Sequence, residues 1–366
     1  MGLLDYYRQF EGLSEEEVNA DLRARARERR ERALAEVDPI DLSQTTWPEL
    51  PPSTVVNAVT YIARRGLHRY LDPHAGELRA ELAAAHDVEP DQVVVGNGAA
   101  QLLGAAAQAL MEPGDELVTP WPSYPLYPLM ARRARGSAVP VAGFGAEPIL
   151  RAINERTRVV ALCNPNDPTG ELLPTRELEA LLGELPERVV VLLDEALGDY
   201  ADRPRDESLG LLGRHPRLLI FRTFSKAWGL AGLRCGYAIG APDSGPLLER
   251  LEPELGLNEL AQAGVLEALR ATEGTVARRV AAVREERARL VPGLRELGFD
   301  VLDSQANFVW LGRDGMDGAE LAARLERAKV IVASGARFGD PARVRAAVQS
   351  RAGGDRLLQA AERAFV

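Results

Sequence analysis

The sequence predicts an α/β protein built on a mainly parallel sheet and joined to a smaller α+β unit. Three observations carry this. Short, continuously apolar runs recur along the middle of the chain: Val93-Val94-Val95, Val159 to Cys163, Val189 to Leu193 and Leu218 to Phe221. Such runs suit strands covered on both faces, and the helical patterns between them supply the cover. Polar and glycine-rich clusters follow each run, at the edge where open α/β sheets bind ligands. After about residue 250 the texture changes to long helical stretches and two late apolar runs. The expected division is an N-terminal helical arm and linker over 1–50, a large unit over 51–250 and a small unit over 251–366.

Taken in order, residues 14–36 read as a charged helix that Ser14 and Glu17 open as a capping box and Pro39 ends. Its stretch Arg23 to Arg32 is interrupted by Glu28 and Glu31, which favours a solvated helix over a nucleic-acid arm. Trp47-Pro48-Glu49-Leu50-Pro51-Pro52 is a stiff linker. Strands and helices alternate from about residue 66. Val93-Val94-Val95 leads through Gly96-Asn97-Gly98 into a small-residue helix, Ala99 to Met111. Glu116 to Thr119 precedes Pro120-Trp121-Pro122-Ser123-Tyr124-Pro125, and Val159 to Cys163 runs into Asn164-Pro165-Asn166-Asp167-Pro168-Thr169-Gly170. Val189 to Leu193 ends in Asp194-Glu195. One long helical stretch, Glu259 to about Leu297, then leads to Phe308-Val309-Trp310-Leu311 and Val330-Ile331-Val332.

Composition narrows the function. A chain of 366 residues with 46% hydrophobic content can fill two or three cores. The 44 basic residues against 54 acidic ones leave a net charge of −10, which argues against a general nucleic-acid surface. No apolar run approaches the roughly 20 residues that span a bilayer. The N-terminus lacks a basic region followed by an apolar core, so no secretory signal is expected. Two cysteines, Cys163 and Cys235, make no disulfide framework, and a cytoplasmic location is expected. His68, His74, His86 and His215 show no metal-ligand spacing, so no metal is expected.

Of the 44 basic residues only two are lysine, Lys226 and Lys329. Arginine replaces lysine in most solvated ion pairs, but not where a neutral amine must form a Schiff base. Lys329, in Glu326-Arg327-Ala328-Lys329-Val330, reads as a helix-end cation. Lys226 stands in Thr223-Phe224-Ser225-Lys226-Ala227-Trp228-Gly229-Leu230, directly after an apolar strand. Strand, hydroxyls, lysine and glycine in that order would tether a carbonyl cofactor at a strand's C-terminal end.

These residues resemble the fold-type I pyridoxal-phosphate (PLP) aminotransferases, the histidinol-phosphate aminotransferase-like branch above all. The likeness runs from about His68 to the C-terminus. It rests on Arg69-Tyr70, Gly96-Asn97-Gly98, Pro122-Ser123-Tyr124, Asn166-Asp167-Pro168-Thr169-Gly170, Asp194-Glu195-Ala196, Thr223 to Gly229 and Leu233-Arg234-Cys235-Gly236-Tyr237, in that order. The resemblance implies a mainly parallel, seven-stranded-type sheet and a homodimer with shared active sites. It also implies roles. Lys226 would hold PLP as a Schiff base and then move the proton at the substrate Cα. Asp194 would keep the ring nitrogen protonated, and Tyr124 would stack on the ring. Gly98, Ala99 and Ala100, at a helix start, would bind the phosphate with Ser225, Thr223 and Arg234. Tyr70 would reach the partner's cofactor phosphate. Arg345 would clamp the substrate α-carboxylate, with Arg337 as a nearby alternative.

The chain departs from the family pattern at two places. Asp167 stands where asparagine is usual, and Leu197 where tyrosine is usual three residues after the strand-end aspartate. Both positions normally donate to the cofactor's phenolic oxygen, so an altered electronic state is expected unless Asp167 is protonated, turns away or is replaced by Asn166. An arginine usual after the late strand is also missing: Ala333 follows Val332, and Arg337 lies four residues on. Gly98-Ala99-Ala100-Gln101 replaces a more polar sequence as well, so histidinol phosphate is not the expected substrate. The leading reading is a PLP-dependent aminotransferase acting on an amino acid, or a similar amine, and a 2-oxo acid. Second comes another Cα-transforming PLP enzyme, such as a threonine-phosphate-type decarboxylase. Third comes a non-catalytic PLP-binding protein.

Overall fold

The computed structural model describes residues 37–365 other than 69 and 71, together with Ser14 and parts of 16–28. At the start, the Ser14 amide and hydroxyl both donate to Glu17 Oε2 at 2.8 Å, while the Glu17 amide donates back to Ser14 Oγ at 3.3 Å. This is the expected capping box. Residues 29–36, where that helix was expected to continue, lie outside the described residues.

The strands in chain order are β1 (Ile40–Asp41), β2 (Val93–Gly96), β3 (Glu116–Trp121), β4 (Ser137–Ala142), β5 (Thr157–Cys163), β6 (Val190–Asp194), β7 (Leu218–Thr223) and β8 (Gly236–Ile239). Past residue 250 follow β9 (Asp300–Val301), β10 (Phe308–Gly312), β11 (Val330–Ile331), β12 (Ala333–Ser334) and β13 (Arg343–Ala347). One seven-stranded sheet has the order β2-β8-β7-β6-β5-β3-β4, with β8 antiparallel to both neighbours and every other pairing parallel. Alternate residues of its strands enter two separate cores. Val160, Leu162, Val191, Leu193, Leu218 and Ile220 lie in one, and Val159, Ala161, Leu192, Leu219 and Phe221 in the other. Both faces are therefore dry, which is why these strands read as unbroken apolar runs. The edge strand β4 is part-exposed along its length and accommodates Pro140.

The second sheet, β12-β13-β10-β9, is antiparallel throughout. The sequence reading needs two corrections here. The helical stretch after Glu259 is two helices, Glu259–Ala271 and Glu273–Glu296, broken at Thr272. The Thr272 hydroxyl donates to Ala268 O at 2.7 Å, a local bond that competes with helix continuation. The late run Val330-Ile331-Val332 also divides, because β11 leaves the second sheet and pairs in parallel with β1. Hydrogen bonds from Ile40 N to Lys329 O (2.9 Å) and Ala347 N to Leu42 O (2.8 Å) tie the segment after residue 39 to the C-terminal part of the chain. Lys329 ends its helix with φ at +64°, in agreement with its reading as a helix-end cation. Among the described residues no helix is long and apolar enough to cross a membrane.

Candidate active site

The ends of β5, β6 and β7 deliver Cys163, Asp194 and Thr223 to one edge of the sheet, and the helix Ala99–Leu110 starts beside them. A single cavity at this edge is lined by Ala99, Ala100, Tyr124, Asp167, Asp194, Thr223, Ser225, Lys226 and Arg234, with Leu103, Cys163, Ala196 and Leu197. Residues up to 135 positions apart, from Ala99 to Arg234, thus share one small space.

Asp194 lies 3% exposed at its centre. One carboxylate oxygen accepts from the Tyr127 hydroxyl at 3.0 Å and the other from the Ala196 amide at 3.0 Å. Burial pushes its pKa up to about 6 against these two hydrogen bonds, so the carboxylate lacks a full cationic partner. Tyr127, fully buried, is a residue the sequence reading missed. It lies three positions after Tyr124, one helical turn on, and meets that ring edge-on at 5.8 Å. That spacing after Tyr124 was the available signal.

Lys226 reaches the cavity from the turn after β7 and donates to the Thr45 hydroxyl. Burial holds its amine below the ordinary lysine value, with Asp167 opposing and Arg345 assisting. Thr45 is itself held, because Asn307 Nδ2 donates to its carbonyl at 3.0 Å. The segment before the Trp47 linker therefore reaches the site's lysine through Thr45. No local motif announces Thr45.

The opposite end is basic and rich in amides. Gly98, at φ +83°, precedes the helix without a side-chain cap, so the first amides of the helix point at the cavity end. A Cβ on Gly98 would stand 2.7 Å from Arg234 Nη2. Arg234 donates to Ser225 Oγ at 3.3 Å, and Thr223 Oγ1 accepts from the Ser225 amide at 3.1 Å. Gly236 completes this corner: a Cβ there would fall 2.3 Å from Ala99 N. Only glycine lets β8 approach the helix start so closely.

Five expected residues do not line the cavity; one of them, Gly98, adjoins it as the residue before the helix that starts at Ala99. Asn166 is buried and its amide is committed to Pro122 O (3.0 Å) and Thr169 Oγ1 (2.9 Å), so it cannot stand in for Asp167. Arg337 is exposed and stacks on Phe338 at 4.9 Å. Tyr70 is 98% exposed, away from this chain's own cavity. Arg345, on β13, lies behind Asp167: its Nη1 meets both Asp167 oxygens at 2.5 and 2.7 Å, and its Nη2 donates to Ser43 O at 3.2 Å. Asp167 reaches the cavity and Arg345 does not, because the shorter side chain stands in front of the longer one.

Comparison with known proteins decides what this arrangement belongs to. The model for aminotransferase class I and II matches residues 37–360. The chain belongs to that family. It is 38% identical over 329 residues to an aromatic amino acid aminotransferase of Corynebacterium efficiens, covering 87% of this chain and 91% of the relative. It is 37% identical over 299 residues to a histidinol-phosphate aminotransferase of Nitrosococcus oceani, covering 80% of each. Among solved structures, an aspartate aminotransferase of Thermus thermophilus superposes with a TM-score of 0.81 at 27% identity, covering 97% of this chain and all of that one. The protein is thus an aminotransferase of fold type I, a member of a family that depends on pyridoxal 5′-phosphate. The aminotransferase's cavity fits that cofactor at three points: an amine at Lys226, an under-partnered carboxylate at Asp194 and an anion cradle between the Ala99 helix start, Ser225 and Arg234. Asp167 and Leu197, the two expected departures from the family pattern, both line its wall.

Proposed function

We propose that the aminotransferase holds its cofactor in this cavity and exchanges an amino group between an amino acid and a 2-oxo acid, as a cytoplasmic homodimer. When bound, the cofactor supplies an aldehyde that exchanges amines and a ring that withdraws electrons from the substrate Cα. Lys226 would hold that aldehyde, and burial, which lowers its pKa, favours the neutral amine that would take up and return the Cα proton. Asp194, with Tyr127 fixing one oxygen, holds a proton on the ring nitrogen. Ala99, Ala100, Ser225 and Arg234 bind the phosphate, with Thr223 orienting Ser225. Tyr124 covers the ring, and Tyr70 reaches the partner's site.

The observation that carries this reading is that Lys226, Asp194 and Arg234 line one cavity. Aromatic amino acids are the first donors to test, because a relative that covers most of this chain is named for them. Histidinol phosphate is disfavoured, since Arg337 lies outside the cavity and no arginine follows Val332 directly. The test is spectroscopic. Purified protein should show the visible absorption of lysine-bound cofactor, and a productive amino acid should bleach it. Lys226→Ala and Lys226→Arg should both lack the band and all turnover. A Lys226→Arg protein that still turns over would show that charge, not imine chemistry, is what the position supplies.

A further inference from the structure

We propose that Asp167 is an internal competitor for Arg345, and that it sets this aminotransferase's preference between carboxylate-bearing and carboxylate-free ligands. The inference rests on the proposed reading of the cavity and concerns the substrate end of it.

A guanidinium that recognises a substrate carboxylate must present two parallel N–H groups to it. In this protein both Asp167 oxygens gather on Nη1 of Arg345, and Nη2 is spent on Ser43 O. Phe338 lies 4.5 Å and Phe308 5.2 Å from the guanidinium centre, so both stack against it. Arg345 is 5% exposed and its Nε has no hydrogen-bond partner among the described residues. A ligand arriving in the cavity therefore meets the Asp167 carboxylate first. It meets a negative group where its own carboxylate would have to go.

The pair is asymmetric in its effect. A carboxylate must displace Asp167 from Arg345, or stack a second anion beside it, and like charges at hydrogen-bond distance oppose ionisation of both. A neutral ligand end, such as a hydroxymethyl group, faces no such cost and can donate to Asp167. Asparagine at this position would still accept from Nη1 but would leave the arginine's charge available. Lys226, Asp194 and Arg234 are the other charged groups of the cavity, and none of them bonds Arg345.

The test uses the cofactor-loaded protein and two non-reacting probes of equal length, 3-phenylpropanoate and 3-phenylpropan-1-ol, with binding followed by calorimetry. Asp167→Asn should tighten binding of the acid by at least about tenfold, the equivalent of ~1.4 kcal/mol, and move the alcohol far less. Adding Arg345→Gln to Asp167→Asn should abolish the gain, which separates release of the arginine from any change in the cofactor's electronics. Acid and alcohol shifting together, an unmoved acid affinity, no binding of the acid by either protein, or a gain that survives loss of Arg345 would each overturn the proposal. A protein without the visible cofactor band tells against the reading of the cavity itself. A banded protein whose acid affinity ignores Asp167 tells against this inference alone.

Discussion

Two carboxylates in one cavity do opposite things because their neighbours differ. Asp167 has an arginine within 2.7 Å, while Asp194 has a phenol and an amide. Burial raises the pKa of Asp194 to about 6, above the ordinary 3.8, against those two hydrogen bonds, so it binds its proton more tightly in the folded chain than in the unfolded one. Its contribution to stability is then fully present below about pH 4 and is lost as pH rises through about 6. The cofactor-free protein should lose roughly 3 kcal/mol on this account across that window. Asp194→Asn should remove that part of the slope, so urea midpoints of variant and wild type should diverge between about pH 4 and pH 7, with the variant the more stable at the upper end. Midpoints that run parallel would show that Asp194 is not the group responsible. Lys226 and Asp194 were legible as single residues, each at the end of an apolar strand and inside a local motif. Tyr127 and Thr45 were not, because nothing local distinguishes a buried tyrosine or a linker threonine from packing.

The strands were readable as elements, since burial on both faces forces unbroken apolar runs. The break at Thr272 was not, because helical periodicity continues on both sides of a one-residue interruption. The pairing of β1 with β11 joins positions 290 apart, from Ile40 to Val330, and two-residue strands carry too little pattern to announce it. The meeting of β8 with the helix Ala99–Leu110 makes a sharper prediction. At Gly236 the atoms that a methyl group would strike, Ala99 N and Arg222 O, are backbone and cannot swing aside. Gly236→Ala should destabilise the protein by about 1–3 kcal/mol and speed cofactor loss on dialysis. Gly232→Ala, where nothing lies within 4 Å, should do neither. Equal effects from the two substitutions in denaturant melts and cofactor retention would remove the steric explanation.

For the whole molecule, several of the exposed apolar side chains fall close together between residues 56 and 70. Val56 (45%), Tyr61 (57%) and Leu67 (73%) lie on or just after the helix Ser53–Gly66, and Tyr70 is nearly free. A row of this kind is what an interface between two copies would cover. Sedimentation should report a dimer, and Tyr61→Glu with Val56→Glu should shift it to monomer while lowering cofactor retention, through withdrawal of the partner's Tyr70. A wild-type chain that sediments as a monomer and still retains cofactor would remove the shared site.

The sequence by itself determined the sheet and singled out Lys226, Asp194 and the glycine-led helix start as candidates, because periodicity and short motifs are local properties that survive without a fold. Only the tertiary structure decided that Asp167 stands between the cavity and Arg345, a contact across 178 positions, and that Thr45 meets Lys226 across 181. Those distances close when β13 and the arm after residue 39 pack over the strand ends. Which charges neutralise one another there depends on side-chain reach, which no sequence pattern states.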